Sequence, residues 1–212
     1  VDGIYFNVRL DNNRQCILVI IGAGKDGKKE LVAIEDGFRE SKASWQSVMR
    51  DLKKRGLKTG PQLSIGDGHL GYWAAHEEEW PRSKDQLCWV HKTANVLEQL
   101  PDSLQGKAKK MIHEIYESDC KKEARKAFDY FVEEFTPKYP KAVKTLTDHR
   151  ESLLHFYDFP AEHWPSIRST NVIESTFATI RHRTKKTKGC GSRTATLTMV
   201  FKLATSAQKS WR

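Results

Sequence analysis

Six consecutive apolar residues, Cys16 to Ile21, stand between two turn-forming segments, Asp11-Asn12-Asn13 and Lys25-Asp26-Gly27. A strand with no polar face must be covered on both sides, so this run predicts a central strand. Ile4 to Leu10 precedes it as a strand in which Asp2, Ile4, Phe6 and Val8 share one face. Glu30 to Glu35 follows as a third short strand. Two hairpins in succession make an antiparallel meander.

Trp45, Val48, Met49 and Leu52 then fall at helical spacing, with Ser44 as the expected N-cap and Gly56 as the stop. A fourth strand, Gln62 to Ile65, runs into Gly66-Asp67-Gly68. A short helix is expected over Leu70 to Glu79, and a fifth strand over Gln86 to Val90, ending at His91. The order βββαβαβ is an α/β layout.

From residue 92 to 168 the pattern is helical. Leu104, Ala108, Met111, Ile112 and Ile115 make one stripe, and Ala124, Ala127, Phe128, Phe131, Val132 and Phe135 a second. Leu146, Leu153, Leu154 and Phe156 suggest a third, closed by Pro160 and Pro165. The expected organisation is a core over 1–91, an all-helical insertion over 92–168, and a return to the core over 169–212. That last part comprises a helix from Thr170 to about Thr184, a basic loop from Lys185 to Arg193, and a closing helix. Trp45, Trp73, Trp80 and Trp164 read as core residues, with docking as the alternative.

Charge is unevenly placed. Ser169 to Arg212 holds nine of the 36 Lys and Arg side chains but a single acid, Glu174. A local basic face points to nucleic acid. Arg181, Arg183, Lys185, Lys186, Lys188 and Arg193 are the candidate phosphate contacts, with Asn171 beside them. A solvated helix end would account for two or three of these charges. The four cysteines have no framework spacing, which predicts free thiols in a reducing compartment. No apolar run approaches membrane-spanning length. The chain opens on a strand without methionine, which suggests a fragment of something longer.

A carboxylate among cations repels phosphate unless a metal ion lies between them. Asp2 on the first strand, Asp67 at the end of the fourth and Glu174 on a late helix could together hold divalent cations, which take oxygen ligands. Two such ions about 3.5–4 Å apart clamp the attacking and leaving oxygens of a phosphoryl displacement. The competing reading of Asp67-Gly68 is a plain turn.

Asp67-Gly68-His69-Leu70-Gly71, Gln86-Leu87-Cys88-Trp89-Val90-His91, Ser169-Thr170-Asn171-Val172-Ile173-Glu174 with Arg181-His182-Arg183-Thr184, and Val1-Asp2-Gly3-Ile4-Tyr5 resemble, in order, the motifs of Mutator-type transposases of bacterial insertion sequences. The resemblance implies an RNase H-like domain, a mixed five-stranded sheet with flanking helices, interrupted by the helical insertion. It implies an Asp-Asp-Glu triad of Asp2, Asp67 and Glu174 holding two magnesium ions, which manganese can replace. The implied chemistry is cleavage of transposon ends and strand transfer into target DNA. Implied partners are double-stranded DNA and a second copy of the chain, at the nucleoid of a bacterial cytoplasm, with no membrane.

Cys88-x-x-His91 belongs to the same pattern. It can be read as half a zinc site, as a buried thiol with a strand-end histidine, or as a pair near the metal site in which His91 acts on DNA or an active-site group. Two other functions stay open: a DNA-binding remnant without chemistry, and an RNase H-like nuclease that cleaves without joining.

Overall fold

The computed structural model describes residues 1–9, 14–24, 26–37, 39–186 and 190–211, with backbone alone at 185 and 186. The chain is a mixed α/β protein that divides into two compact units. One comprises Val1–Gln62, His69–Ser83 and Asn171–Arg212; the other comprises Leu63–Gly68 and Lys84–Thr170.

The first unit is built on three antiparallel strands, β1 (Asp2–Phe6), β2 (Gln15–Ala23) and β3 (Lys29–Gly37), in that order. Asp2 pairs with Val19 and Phe6 with Gln15. The apolar run does become the central strand, covered on both faces. Cys16, Leu18 and Ile20 pack on Trp45, Val48, Met49, Leu52, Tyr72 and Ala75 from α1 (Lys42–Lys54) and α2 (Leu70–Glu79). Ile17 and Val19, with Ile4 and Phe6, pack on two later helices, α9 (Asn171–Lys186) and α10 (Arg193–Gln208). Trp45 and Trp80 are buried, while Trp73 packs partly buried against the same core.

Helix α1 starts earlier than expected. Its N-cap is Ser41, whose side chain accepts the Ser44 N–H at 3.2 Å, so Ser44 lies in the first turn. Both serines satisfy the local pattern, and the extended backbone at Ser41 decides between them. The stop is where the sequence puts it. Gly56 has φ 112°, and its N–H and that of Leu57 close on the carbonyls of Lys53 and Leu52, a Schellman ending.

The second unit pairs β4 (Leu63–Gly66) with β5 (Lys84–Leu87) in parallel. The ladders among the described residues are thus a three-stranded and a two-stranded sheet, where the family resemblance implies five strands in one. β5 also ends sooner than expected. Trp89 to Leu97 is a helix, α3, which places Val90 and His91 in its first turn rather than at a strand end. Short apolar runs fit either period. Here Trp89, Thr93 and Val96 bury one helical face and Val90 is left exposed, so the helical period prevails.

The remaining helices are α4 (Asp102–Tyr116), α5 (Lys121–Phe135), α6 (Pro140–Thr147), α7 (Arg150–Leu154) and α8 (Trp164–Ile167). Ala108, Met111, Ile112 and Ile115 of α4 and Ala124, Phe128, Phe131 and Phe135 of α5 are buried as their spacing predicts. The third stripe is divided among α6, α7 and a 3-10 turn over His155–Asp158. Trp164 is half-buried, its indole N–H donating to the Phe159 carbonyl.

Candidate active site

In the second unit, Asp67 follows the last residue of β4, half-buried. Ligands gather outside the carboxyl ends of parallel strands, which is where this carboxylate stands. Space beside it is open: a Cβ built on Gly68 would meet nothing within 4 Å.

The segment after β5 is tightly held. Gln86, fully buried, donates through Nε2 to the carbonyls of Leu87 and Leu153 and accepts the Phe156 N–H through Oε1. The Trp89 indole donates to the same Leu153 carbonyl at 2.8 Å. Cys88 caps α3 by position; its N–H donates to the Gly66 carbonyl at 2.8 Å, one residue ahead of Asp67. Its sulfur accepts two hydrogen bonds from Thr170, from N–H at 3.3 Å and from Oγ1 at 3.2 Å. Burial pushes this thiol up, but the hydrogen bonds from His91 and Thr170 outweigh it and hold Cys88 below the ordinary thiol range. His91 is half-buried in the first turn of α3.

In the first unit, Asp2 opens β1, half-buried, and alternation puts it on the Ile4 and Phe6 side of the strand. That side carries the core to which α9 contributes Ile173, Phe177 and Ile180. Glu174 lies in the first turn of α9, next to Ile173 and half-buried. Unsatisfied N–H groups at a helix start favour an anion there. Asp2 and Glu174 therefore stand on two elements that share one core, and Asp67 and His91 belong to the other unit. All three carboxylates are hard oxygen donors, and none is sealed in the interior, so the donor set suits magnesium or manganese.

Asn171, Arg181 and Arg183 are exposed along α9. Lys185 and Lys186 continue the same helix, their side chains outside the described residues, and Lys188 lies outside them altogether. Arg193 forms a two-point ion pair with Asp36 on β3, at 2.7 and 3.2 Å, so its charge is engaged within the fold. That pair joins residues 157 apart, which spacing could not reveal.

A family model for Mutator-family transposases matches residues 1–212. The chain belongs to the Mutator family of transposases. Among its relatives, the transposase for insertion sequence element IST2 of Acidithiobacillus ferrooxidans is 55% identical over 201 residues, covering 95% of this chain and 68% of that protein. The transposase for IS6120 of Mycolicibacterium smegmatis is 53% identical over 212 residues, covering all of this chain and 65% of that protein. The transposase for IS905 of Lactococcus lactis is 30% identical over 187 residues, 88% of this chain and 47% of its own length. The chain thus spans about two thirds of the two more similar relatives. Every candidate residue lies inside the stretch matched by the Mutator-family model. No helix among the described residues is long and apolar enough to cross a membrane.

Proposed function

We propose that this chain is the catalytic part of an insertion-sequence transposase, cleaving DNA at element ends and joining the freed ends to target DNA. The observation that carries the reading is the family match over the whole chain, with Asp2, Asp67 and Glu174 at the ends of regular elements inside it. Asp2, Asp67 and Glu174 are the residues that would hold two magnesium ions. When bound, such ions supply Lewis-acid stabilisation of the attacking and leaving oxygens of an in-line displacement.

The chain's own side chains do the rest. Arg181 and Arg183, with Asn171 and the neighbouring Lys185, Lys186 and Lys188, hold the DNA backbone, and Arg193 contributes once Asp36 releases it. His91, at the start of α3, orients the DNA strand or an active-site group. The proposed architecture is an RNase H-like core over 1–91 and 169–212, with five strands in one sheet and 92–168 as a helical insertion. The parallel β4–β5 pair and the antiparallel meander are the parts such a sheet requires. Two element ends must be brought together, so a homodimer or larger assembly on double-stranded DNA, at the nucleoid, completes the reading.

The test is a strand-transfer assay with a pre-cut duplex end, magnesium and a plasmid target. Joined product that disappears in Asp67→Asn and Glu174→Gln supports the proposal. Cleavage without joining would make the chain a nuclease, and salt-dependent DNA binding with neither cleavage nor joining would make it a binding remnant.

A further inference from the structure

We propose that Cys88 is a positioning residue, its sulfur anchoring the entry to α9 and its backbone anchoring the strand end that carries Asp67. The inference rests on the reading of Asp67 and Glu174 as catalytic acids. Cys88 N–H donates to Gly66, directly ahead of Asp67, while Cys88 Sγ takes both the N–H and the hydroxyl of Thr170, directly ahead of α9. Glu174 is in the first turn of that helix. One residue therefore ties down the chain at the approach to each acid, across 82 positions of sequence.

The surroundings make the tie firm. Cys88 and Thr170 are both buried, so water does not compete for these donors. A second backbone bond, Trp89 N–H to the Arg168 carbonyl at 3.0 Å, runs beside the first. Gln86 fixes the preceding residue through Leu87 and the α7 end through Leu153, so the anchor itself stands on a rigid support. Cys88 serves here as an acceptor, with no redox or nucleophilic step.

The test uses the full-length transposase and a duplex bearing the terminal repeat of its own element, with kcat and KM for end cleavage and the melting temperature measured side by side. Cys88→Ala and Thr170→Val are expected to lower kcat by about tenfold with KM nearly unchanged, because misplacement of a reacting group acts on the chemical step. Cys88→Ser and Thr170→Ser, which keep acceptor and donor, recover most of kcat. The Cys88→Ala/Thr170→Val double variant is no slower than Cys88→Ala alone, since removing the sulfur already removes the bond from the Thr170 hydroxyl. If Cys88→Ala does not fold, Thr170→Val, which keeps the thiol and the volume, decides alone.

Unchanged kcat in Cys88→Ala and Thr170→Val, beside an inactive Asp67→Asn, overturns the inference and leaves the catalytic reading standing. A loss of kcat that follows melting temperature and is not recovered by the serine variants also overturns it. Full cleavage by Asp67→Asn removes the catalytic reading itself, and this inference with it.

Discussion

A Cβ added at Gly71 would overlap the Glu40 carbonyl oxygen, whereas one at Gly68 would meet nothing within 4 Å. Gly71 lets α2 approach the segment leading into α1, so Gly71→Ala should destabilise the fold by roughly 1–3 kcal/mol in a urea titration. Gly68→Ala should leave stability within about 0.5 kcal/mol and show its effect, if Gly68 leaves room for phosphate, in DNA cleavage alone. Cys16 offers a pH test. Burial pushes its thiol up to about 11, above its ordinary value of 9.0. A raised acid stabilises the fold below its unfolded value, and that contribution is lost as pH rises through the folded value. Stability should therefore fall between pH 9 and pH 11, and Cys16→Ala should flatten part of that fall. Tyr5, pushed up to about 12, continues it at higher pH.

Between α1 and α2, Glu79 accepts from Arg50 and Lys53, both at 2.7 Å, and these partners hold its carboxyl below the usual range. Glu79→Gln should cost about 1 kcal/mol at neutral pH, and the difference should vanish as pH falls through the depressed carboxyl range. Ser41→Ala should cost about 1 kcal/mol by removing the α1 cap, and Ser44→Ala much less. These elements also show what the chain discloses by itself. The meander, the α4 and α5 stripes and the Gly56 stop follow from periodicity and turn chemistry, which are local. The start of α3 does not, because Cys88-Trp89-Val90-His91 fits two periods and only burial of Trp89 and Val96 chooses. The three carboxylates could be nominated from sequence because Glu174 stands alone among cations and Asp67 ends a strand. The Cys88–Thr170 and Arg193–Asp36 pairings could not, since partners 82 and 157 positions apart leave no trace in spacing.

At the scale of the whole molecule, the proposed function joins a basic surface to a carboxylate set, and the two can be separated. DNA affinity should fall with salt, and replacing Arg181 or Arg183 with Ala should reduce the logarithmic salt slope by about 1 for each phosphate no longer neutralised. Asp67→Asn should leave that slope unchanged, because it removes no cation. That Asp2, Asp67 and Glu174 form one metal-binding set is tested most directly by calorimetric titration of manganese into the chain. Binding is expected in the parent and lost in both Asp67→Asn and Glu174→Gln. Equal binding in all three proteins, or binding in none, would contradict a shared carboxylate site.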